Sequence, residues 1–187
     1  MFVAANAYAG AHDTRFSIIR YGNVMGSRGS VIPFFMSQAD SGELPITDIR
    51  MTRFMITLEQ AVELSWHAFD DMYGGEIYVK KLPSMTITDI AQAVSSNAKH
   101  RIIGIRPGEK IDEQMIGIED APYTYEFSEY YKILPAIHDW SNDPARNKGG
   151  SKVASNFTYD SRSNLDWMSI SQLKEWININ KKRIGKI

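Results

Sequence analysis

The stretch that most constrains the fold runs from Arg15 to about Ser41. RFSIIRYGN, Arg15 to Asn23, is short, rich in β-branched and aromatic residues, and closed by Gly22 and Asn23, which predicts a buried strand. In the following VMGSRGSVIPFF, Gly26 and Gly29 loosen the backbone and Ser30 is placed to cap a helix. Pro33 falls in that helix's first turn, where a missing N–H costs nothing. The helix is predicted from Val31 to about Ser41. A strand that turns through glycine into a helix is the repeating unit of α/β folds, since a crossover helix returns the chain to the same end of a parallel sheet.

The alternation continues. After Gly42, LPITD reads as a short strand, and IRMTRFMI leads into a helix signalled by Thr57 and Gln60 at capping-box spacing. Its expected apolar stripe is Leu58, Ala61, Val62, Trp66, Phe69 and Met72, and Gly74 and Gly75 end it. EIYVKK, Glu76 to Lys81, reads as a strand, the segment after Pro83 as a helix from about Thr86 to Ser95, and HRIIGIR as a strand ending at Arg106. Arg15–Asn23, Glu76–Lys81 and His100–Arg106 are the candidates for one parallel sheet. YTYEFSEYYKIL reads as an aromatic strand-like run and Ser141 to Lys152 as a polar loop. A last helix is capped by Ser169 and Gln172 and carries Leu173, Trp176 and Ile177 on its face. The opening MFVAANAYAGAHD reads as the middle of a helix, with Gly10 as its stop and no cap before Phe2.

Composition narrows the function. At 187 residues and 43% hydrophobic the chain suits one domain with a real core. Lys plus Arg total 21 against 22 Asp plus Glu, which excludes a bulk electrostatic grip on nucleic acid. The absence of cysteine excludes disulfide scaffolds, thiolate zinc sites, iron–sulfur clusters and cysteine nucleophiles together, and suits a cytoplasmic setting. No apolar run approaches the roughly 20 residues of a membrane helix, so no membrane partner is expected.

Three segments place arginine beside backbone-permissive or capping residues: GSRGS with Arg28, MTRF with Arg53, and RPGEK with Arg106. A guanidinium offers a rigid fork of donors to phosphate oxygens, and a glycine-loosened loop entering a helix adds backbone N–H groups. A single arginine is by composition most often a solvated surface residue; the spacing of GSRGS raises it above that. The usual catalytic arrangements are absent: no G-x-G-x-x-G, no Walker loop and no G-x-S-x-G elbow. His12, His67, His100 and His138 lack metal-ligand spacing, so no metal site is expected. Asp70 with Asp71, and Glu119 with Asp120, read as solvated pairs. No tyrosine is followed four residues later by lysine. The residues describe a binding surface without a local reactive group.

RYGNVMGSRGSVIPFF, ITDIRMTRFMITLEQAV, GGEIYV and IIGIRPGEK, in that order, closely resemble the inverting UDP-N-acetylglucosamine 4,6-dehydratases of the extended short-chain dehydrogenase/reductase superfamily. Polysaccharide-biosynthesis dehydratases and epimerases look similar in the same segments. The resemblance covers Met1 through about Trp167 and starts downstream of the family's glycine-rich NADP-binding turn and its catalytic tyrosine and lysine. It implies an α/β chain forming the carboxy-terminal part of a Rossmann-like fold with its smaller substrate-binding lobe. Residues 1–81 would be mostly the last strands and helices of the Rossmann-like domain, with a substrate-loop insertion near 30–57, and 82–187 mostly the substrate lobe.

The resemblance also implies site residues. Val24, Met25, Gly26, Ser27, Arg28 and Val31 match the loop along the NADP nicotinamide end. Asn23 matches the asparagine that bonds the nucleotide sugar, and Thr47 and Arg53 match the uridine and phosphate pocket. Arg106 matches the pyrophosphate arginine, Glu109 and Glu113 are placed to accept from ribose hydroxyls, and Tyr159 and Ser161 match a segment that returns to the substrate. In the family reaction the sugar's C4 hydroxyl is oxidised, water leaves across C5 and C6, and hydride returns to C6 as C5 inverts. The implied reading is the substrate-binding half of such an enzyme of surface-glycan or flagellin sugar synthesis, inactive alone and homo-oligomeric at full length, with a UDP-sugar as partner. The alternatives are a non-catalytic sugar-nucleotide module, or a subunit completed by a separate amino-terminal chain, and a plain α/β interaction domain.

Overall fold

The computed structural model describes residues 13–136, 143–147 and 149–186. The helix expected at the start of the chain lies outside them. In chain order the elements are β1 (Ile18–Arg20), β2 (Asn23–Val24), α1 (Val31–Gln38), β3 (Glu43–Ile46), β4 (Thr52–Ile56), α2 (Leu58–Asp71), β5 (Ile77–Lys80), β6 (Ser84–Thr86) and α3 (Ile87–Val94). Then follow β7 (Lys99–Ile102), β8 (Gln114–Ile116), β9 (Thr124–Glu126), β10 (Tyr130–Ile133), α4 (Pro144–Asn147), β11 (Ser151–Lys152), β12 (Tyr159–Asp160) and α5 (Ile170–Asn180). They form two interleaved compact units. One gathers the chain up to Tyr21 with Glu59–Lys81 and Gln114–Tyr159; the other gathers Gly22–Leu58, Leu82–Glu113 and Asp160–Ile187.

The first unit is a sheet of order β1-β5-β10-β9-β11 with α2 on one face. β1 runs parallel to β5, Ile18 opposite Ile77, and the remaining pairs are antiparallel. The aromatic run therefore folds as a hairpin, β9 to β10, with Tyr131 opposite Glu126 and Phe127 stacked on Tyr130 at 4.6 Å between centroids. α2 buries Ala61, Leu64 and Ala68, the last two against Tyr78. This corrects the expected stripe: Val62, Trp66 and Phe69 are 45%, 65% and 65% exposed. The arc of Ala61, Leu64 and Ala68 faces the sheet, where Leu64 and Ala68 pack on Tyr78, and Val62, Trp66 and Phe69 take the opposite arc. Asp71 is likewise not a solvated carboxylate, since it accepts from Lys132 Nζ at 2.6 Å and the Tyr78 hydroxyl at 2.7 Å. Asp120 accepts from Arg20 at 2.9 Å.

The second unit holds the sheet β2-β4-β6 and the parallel pair β3-β7, Ile46 opposite Ile102, with α1, α3 and α5 around a shared apolar core. Three expectations change here. The strand predicted over Arg15–Asn23 divides, because Gly22 lies flat on β4: a Cβ there would meet Phe54 at 2.5 Å. His100–Arg106 does not join β1 and β5; it pairs with β3 and is strand only to Ile102. TRFMI, read as a helix lead-in, is β4 itself, its residues mostly buried. The helix expected to Ser41 is α1 extended by a 3-10 turn, Ala39–Ser41, and stopped by Gly42 at φ 74°. α5 has its full capping box: the Ser169 hydroxyl accepts from Gln172 N–H, and the Gln172 side chain accepts from Ser169 N–H.

Candidate functional site

The second unit contains a cavity of about 310 Å³. Its walls come from four places in the chain that the fold brings together. β2, the GSRGS turn and α1 supply Asn23, Gly29, Val31 and Phe34, the ends of β3 and β4 supply Thr47 and Arg53, α3 supplies Ile87, and the segment after β7 supplies Ile103, Arg106 and Glu109. Local chemistry fixes each piece. Ser30 begins α1 from an extended conformation, its hydroxyl donating to Ser27 O at 2.7 Å and closing the turn. Ile103 N–H donates to Ile46 O at 2.9 Å, holding the segment after β7 beside Thr47.

The two arginines of the cavity differ in how they are held. Arg53 clasps the chain across from β4, donating to the carbonyls of Thr52 at 2.7 Å, Ile111 at 3.0 Å and Lys110 at 3.1 Å. Its Nε lies 3.9 Å from Glu113. The Arg106 guanidinium makes no hydrogen bond or ion pair among the described residues, while its backbone N–H donates to Glu109 at 2.9 Å. That leaves a full fork of donors at the cavity, suited to an anion with several oxygens. Glu109 thus uses one oxygen on the RPGEK turn, which Gly108 at φ 84° closes.

Behind Arg53 lies a network that sequence reading did not reveal as one. Arg162 grips Asp112 with two bonds, 2.7 and 3.0 Å, and also donates to Arg50 O. Asp112 accepts from the Thr52 hydroxyl at 2.7 Å, and the Ser161 hydroxyl lies 2.6 Å from that of Thr52 and accepts from Glu113 N–H at 2.9 Å. Glu113 in turn accepts from Phe54 N–H at 3.0 Å. Burial alone would raise the Asp112 carboxyl, but the Arg162 and Thr52 bonds outweigh it and hold it below the usual range. Burial pushes Glu113 up, against the opposing pull of Phe54 N–H and Arg53. Ser161 is fully buried and does not line the cavity. Tyr159 belongs to the first unit, its ring 5.1 Å from that of Tyr131.

A neighbouring cavity of about 450 Å³ shares Asn23 and Val31 with the first and is further lined by Val24, Ser27, Ser30 and Leu58. Two residues assigned to the same ligand by resemblance are placed differently: Met25 is core, and Gly26 at φ 74° packs where a Cβ would meet the Trp176 ring at 2.9 Å. They brace the loop from behind. Arg28 is exposed. The valines and Leu58 offer an apolar wall and the serines a polar rim, which fits one flat end of a nicotinamide cofactor. No group of three or more metal-binding side chains occurs among the described residues. No described helix is long and apolar enough to cross a membrane.

Strand, glycine turn and helix beside an arginine-lined cavity, in a mixed α/β chain, define a Rossmann-like α/β protein. The chain belongs to the polysaccharide biosynthesis protein family, whose model matches residues 1–135. It is 51% identical over 185 residues to an inverting UDP-N-acetylglucosamine 4,6-dehydratase of Campylobacter jejuni, covering 95% of this chain and 55% of that protein. It is 38% identical over 169 residues to a UDP-glucose 4-epimerase of Rickettsia canadensis, 88% of this chain and 49% of the relative. Among solved structures, Pen from Bacillus thuringiensis superposes with a TM-score of 0.83 at 29% identity, covering 96% of this chain and 55% of Pen. The chain spans about half the length of these relatives.

Proposed function

We propose that this chain supplies the sugar-nucleotide-binding half of a C5-inverting UDP-N-acetylglucosamine 4,6-dehydratase that works with NADP in surface-glycan or flagellin sugar synthesis. The observation that carries the reading is the Arg106 fork, unpaired among the described residues, in a cavity that also holds Arg53, Thr47 and Asn23. Arg106 takes the pyrophosphate oxygens, and Arg53, fixed by three carbonyls, adds positive potential without itself being free to swing. Asn23 stands where the two cavities meet and is placed to hold the hexose between them. Val24, Ser27 and Val31 would hold the nicotinamide end in the neighbouring cavity. Bound there, the cofactor would supply the hydride-accepting and hydride-donating chemistry. Holding the diphosphate fixes the hexose for that exchange; such positioning supports turnover only once an acid and base join it. On this reading the chain alone binds and does not turn over, the full-length enzyme is a cytoplasmic homo-oligomer, and catalysis belongs to the longer protein.

A second reading, a sugar-nucleotide-binding module or a subunit completed by a separate amino-terminal chain, draws on the cavity being built wholly within one compact unit. Calorimetric titration with UDP and UDP-N-acetylglucosamine tests the shared core of both. Wild type should bind, and Arg106→Ala should weaken binding about tenfold or more, the scale of a lost charged hydrogen-bond pair. Folded protein with a flat UDP titration removes both readings, and unchanged affinity in Arg106→Ala favours a plain interaction domain. Activity on mixing with a separately expressed amino-terminal half of a relative separates the subunit from the inert module.

A further inference from the structure

The span that carries Arg106 has few bonds of its own. Residues 103–108 are exposed. Ile103 N–H donates to Ile46 O at 2.9 Å, and among the described residues 104–109 hydrogen-bond only to one another. Arg106 N–H donates to the Glu109 carboxylate at 2.9 Å, and Glu109 N–H to Arg106 O at 3.0 Å. The grip resumes directly afterwards. Lys110 O and Ile111 O accept from Arg53 at 3.1 and 3.0 Å, Ile111 O also accepts from Thr52 N–H at 3.0 Å, and Asp112 accepts twice from Arg162 and once from Thr52. The span is thus set from two ends, by a single strand-like bond on one side and a charged cluster on the other.

That cluster is satisfied in one arrangement. Thr52 and Ser161 are 1% and 0% exposed, and a buried hydroxyl costs free energy unless it is bonded. The Thr52 hydroxyl donates to Asp112, so the Ser161 hydroxyl, 2.6 Å away, donates to Thr52 Oγ1 while accepting from Glu113 N–H at 2.9 Å. Both hydroxyls are therefore satisfied only when residues 112 and 113 lie against β4. Arg162 closes the cluster from outside: its fork meets the two Asp112 oxygens at 2.7 and 3.0 Å, and the same guanidinium donates to Arg50 O. This ties the end of the Arg106 span to the chain entering β4. Arg162 itself does not line the cavity, and a half-exposed ion pair of this kind contributes little to stability.

We propose that Arg162 is a positioning residue for anion binding: through Asp112 it latches the far end of the Arg106 span and so holds the Arg106 fork ready at the cavity. The inference rests on the diphosphate ligand proposed above and adds the residue that keeps its receptor in place. Without the latch the same contacts to the ligand form only after the span is ordered, and that ordering is subtracted from affinity. A lysine at this position keeps the charge and loses the fork.

The test is calorimetric titration with UDP and with inorganic pyrophosphate of wild type, Arg162→Lys, Asp112→Asn, Arg106→Ala and the double variant Arg162→Lys/Arg106→Ala. Arg162→Lys should weaken both ligands about fivefold although the net charge is unchanged. Asp112→Asn removes a negative charge near an anion site, which by electrostatics alone would tighten binding; the latch predicts binding about threefold weaker. In the Arg106→Ala background Arg162→Lys should change affinity by less than about twofold, because the fork it presents is gone. Where Arg106→Ala binds too weakly to titrate, the sign of the Asp112→Asn change decides. If Asp112→Asn lacks a wild-type dichroism spectrum, Arg162→Lys decides, since a loss at equal charge has to come from the fork. Arg162→Lys binding as tightly as wild type, while Arg106→Ala does not, overturns the latch and leaves the ligand class standing. Tighter binding in Asp112→Asn, or an equal loss from Arg162→Lys with and without Arg106, also overturns it. Wild type binding neither ligand overturns both this inference and the reading beneath it.

Discussion

Asp112 and Glu113 are adjacent in sequence and pulled in opposite directions. Asp112 lies below its usual value near 3.8, so its contribution to stability is present above that value and fades as pH falls toward the lower folded value. Glu113 lies above its usual value near 4.5, so its contribution is present below 4.5 and is lost as pH rises through the higher folded value. Asp112→Asn should therefore lower Tm at neutral pH by a few degrees, roughly the scale of 1 kcal/mol in a chain of this size, with the deficit shrinking in acid. Glu113→Gln keeps an acceptor for Phe54 N–H and should cost little or gain at neutral pH, with any gain vanishing below about pH 4.5. Tm against pH for both variants checks this; parallel curves would mean that neither carboxylate carries a shifted charge in the folded chain. None of this was legible in the sequence, because Thr52, Asp112 and Ser161 meet across separations of 60 and 109 positions. Arg106 and Thr47, by contrast, lie in segments whose residue order is distinctive, and the fold brings both to one cavity.

At the scale of the element, α2 shows how far periodicity reaches. Spacing of 3.6 reveals that a helix exists but leaves two apolar arcs on this one, and only packing decides between them. The sheet takes Leu64 and Ala68 against Tyr78 and leaves Trp66 and Phe69 outward, their rings 6.0 Å apart. Leu64→Ala should cost about 2–5 kcal/mol by opening a cavity against Tyr78, whereas Trp66→Ser should change stability by less than about 0.5 kcal/mol. Urea unfolding of the two variants separates the arcs; a large cost for Trp66→Ser would place the working face where the stripe in the sequence first suggests. The other differences have the same origin. A strand's existence is local, but its partner is not. HRIIGIR and LPITD both read as strands, and nothing local says that they pair with each other rather than with β5. α5 was legible nearly whole because a capping box and an apolar face are local signals.

At the scale of the whole chain, the path crosses between the two units at 21/22, 58/59, 81/82, 113/114 and 159/160. The units are assembled by contacts, and each draws on three separate segments. Every residue lining the arginine cavity falls in the second unit. A ligand bound there stabilises the states in which that unit is folded, by about 2.7 kcal/mol at a hundredfold excess over Kd. Amide hydrogen exchange with and without UDP should then slow in α1, β3, β7 and the segment through Arg106, where openings expose the cavity wall. β5 and β10 should slow only in exchange events that unfold the whole chain at once. Protection gained in β5 and β10 alone, with α1 and β7 unchanged, would move the ligand out of the arginine cavity. Protection confined to the second unit would tie nucleotide binding to the piece of the fold that carries Phe34, Arg53 and Arg106.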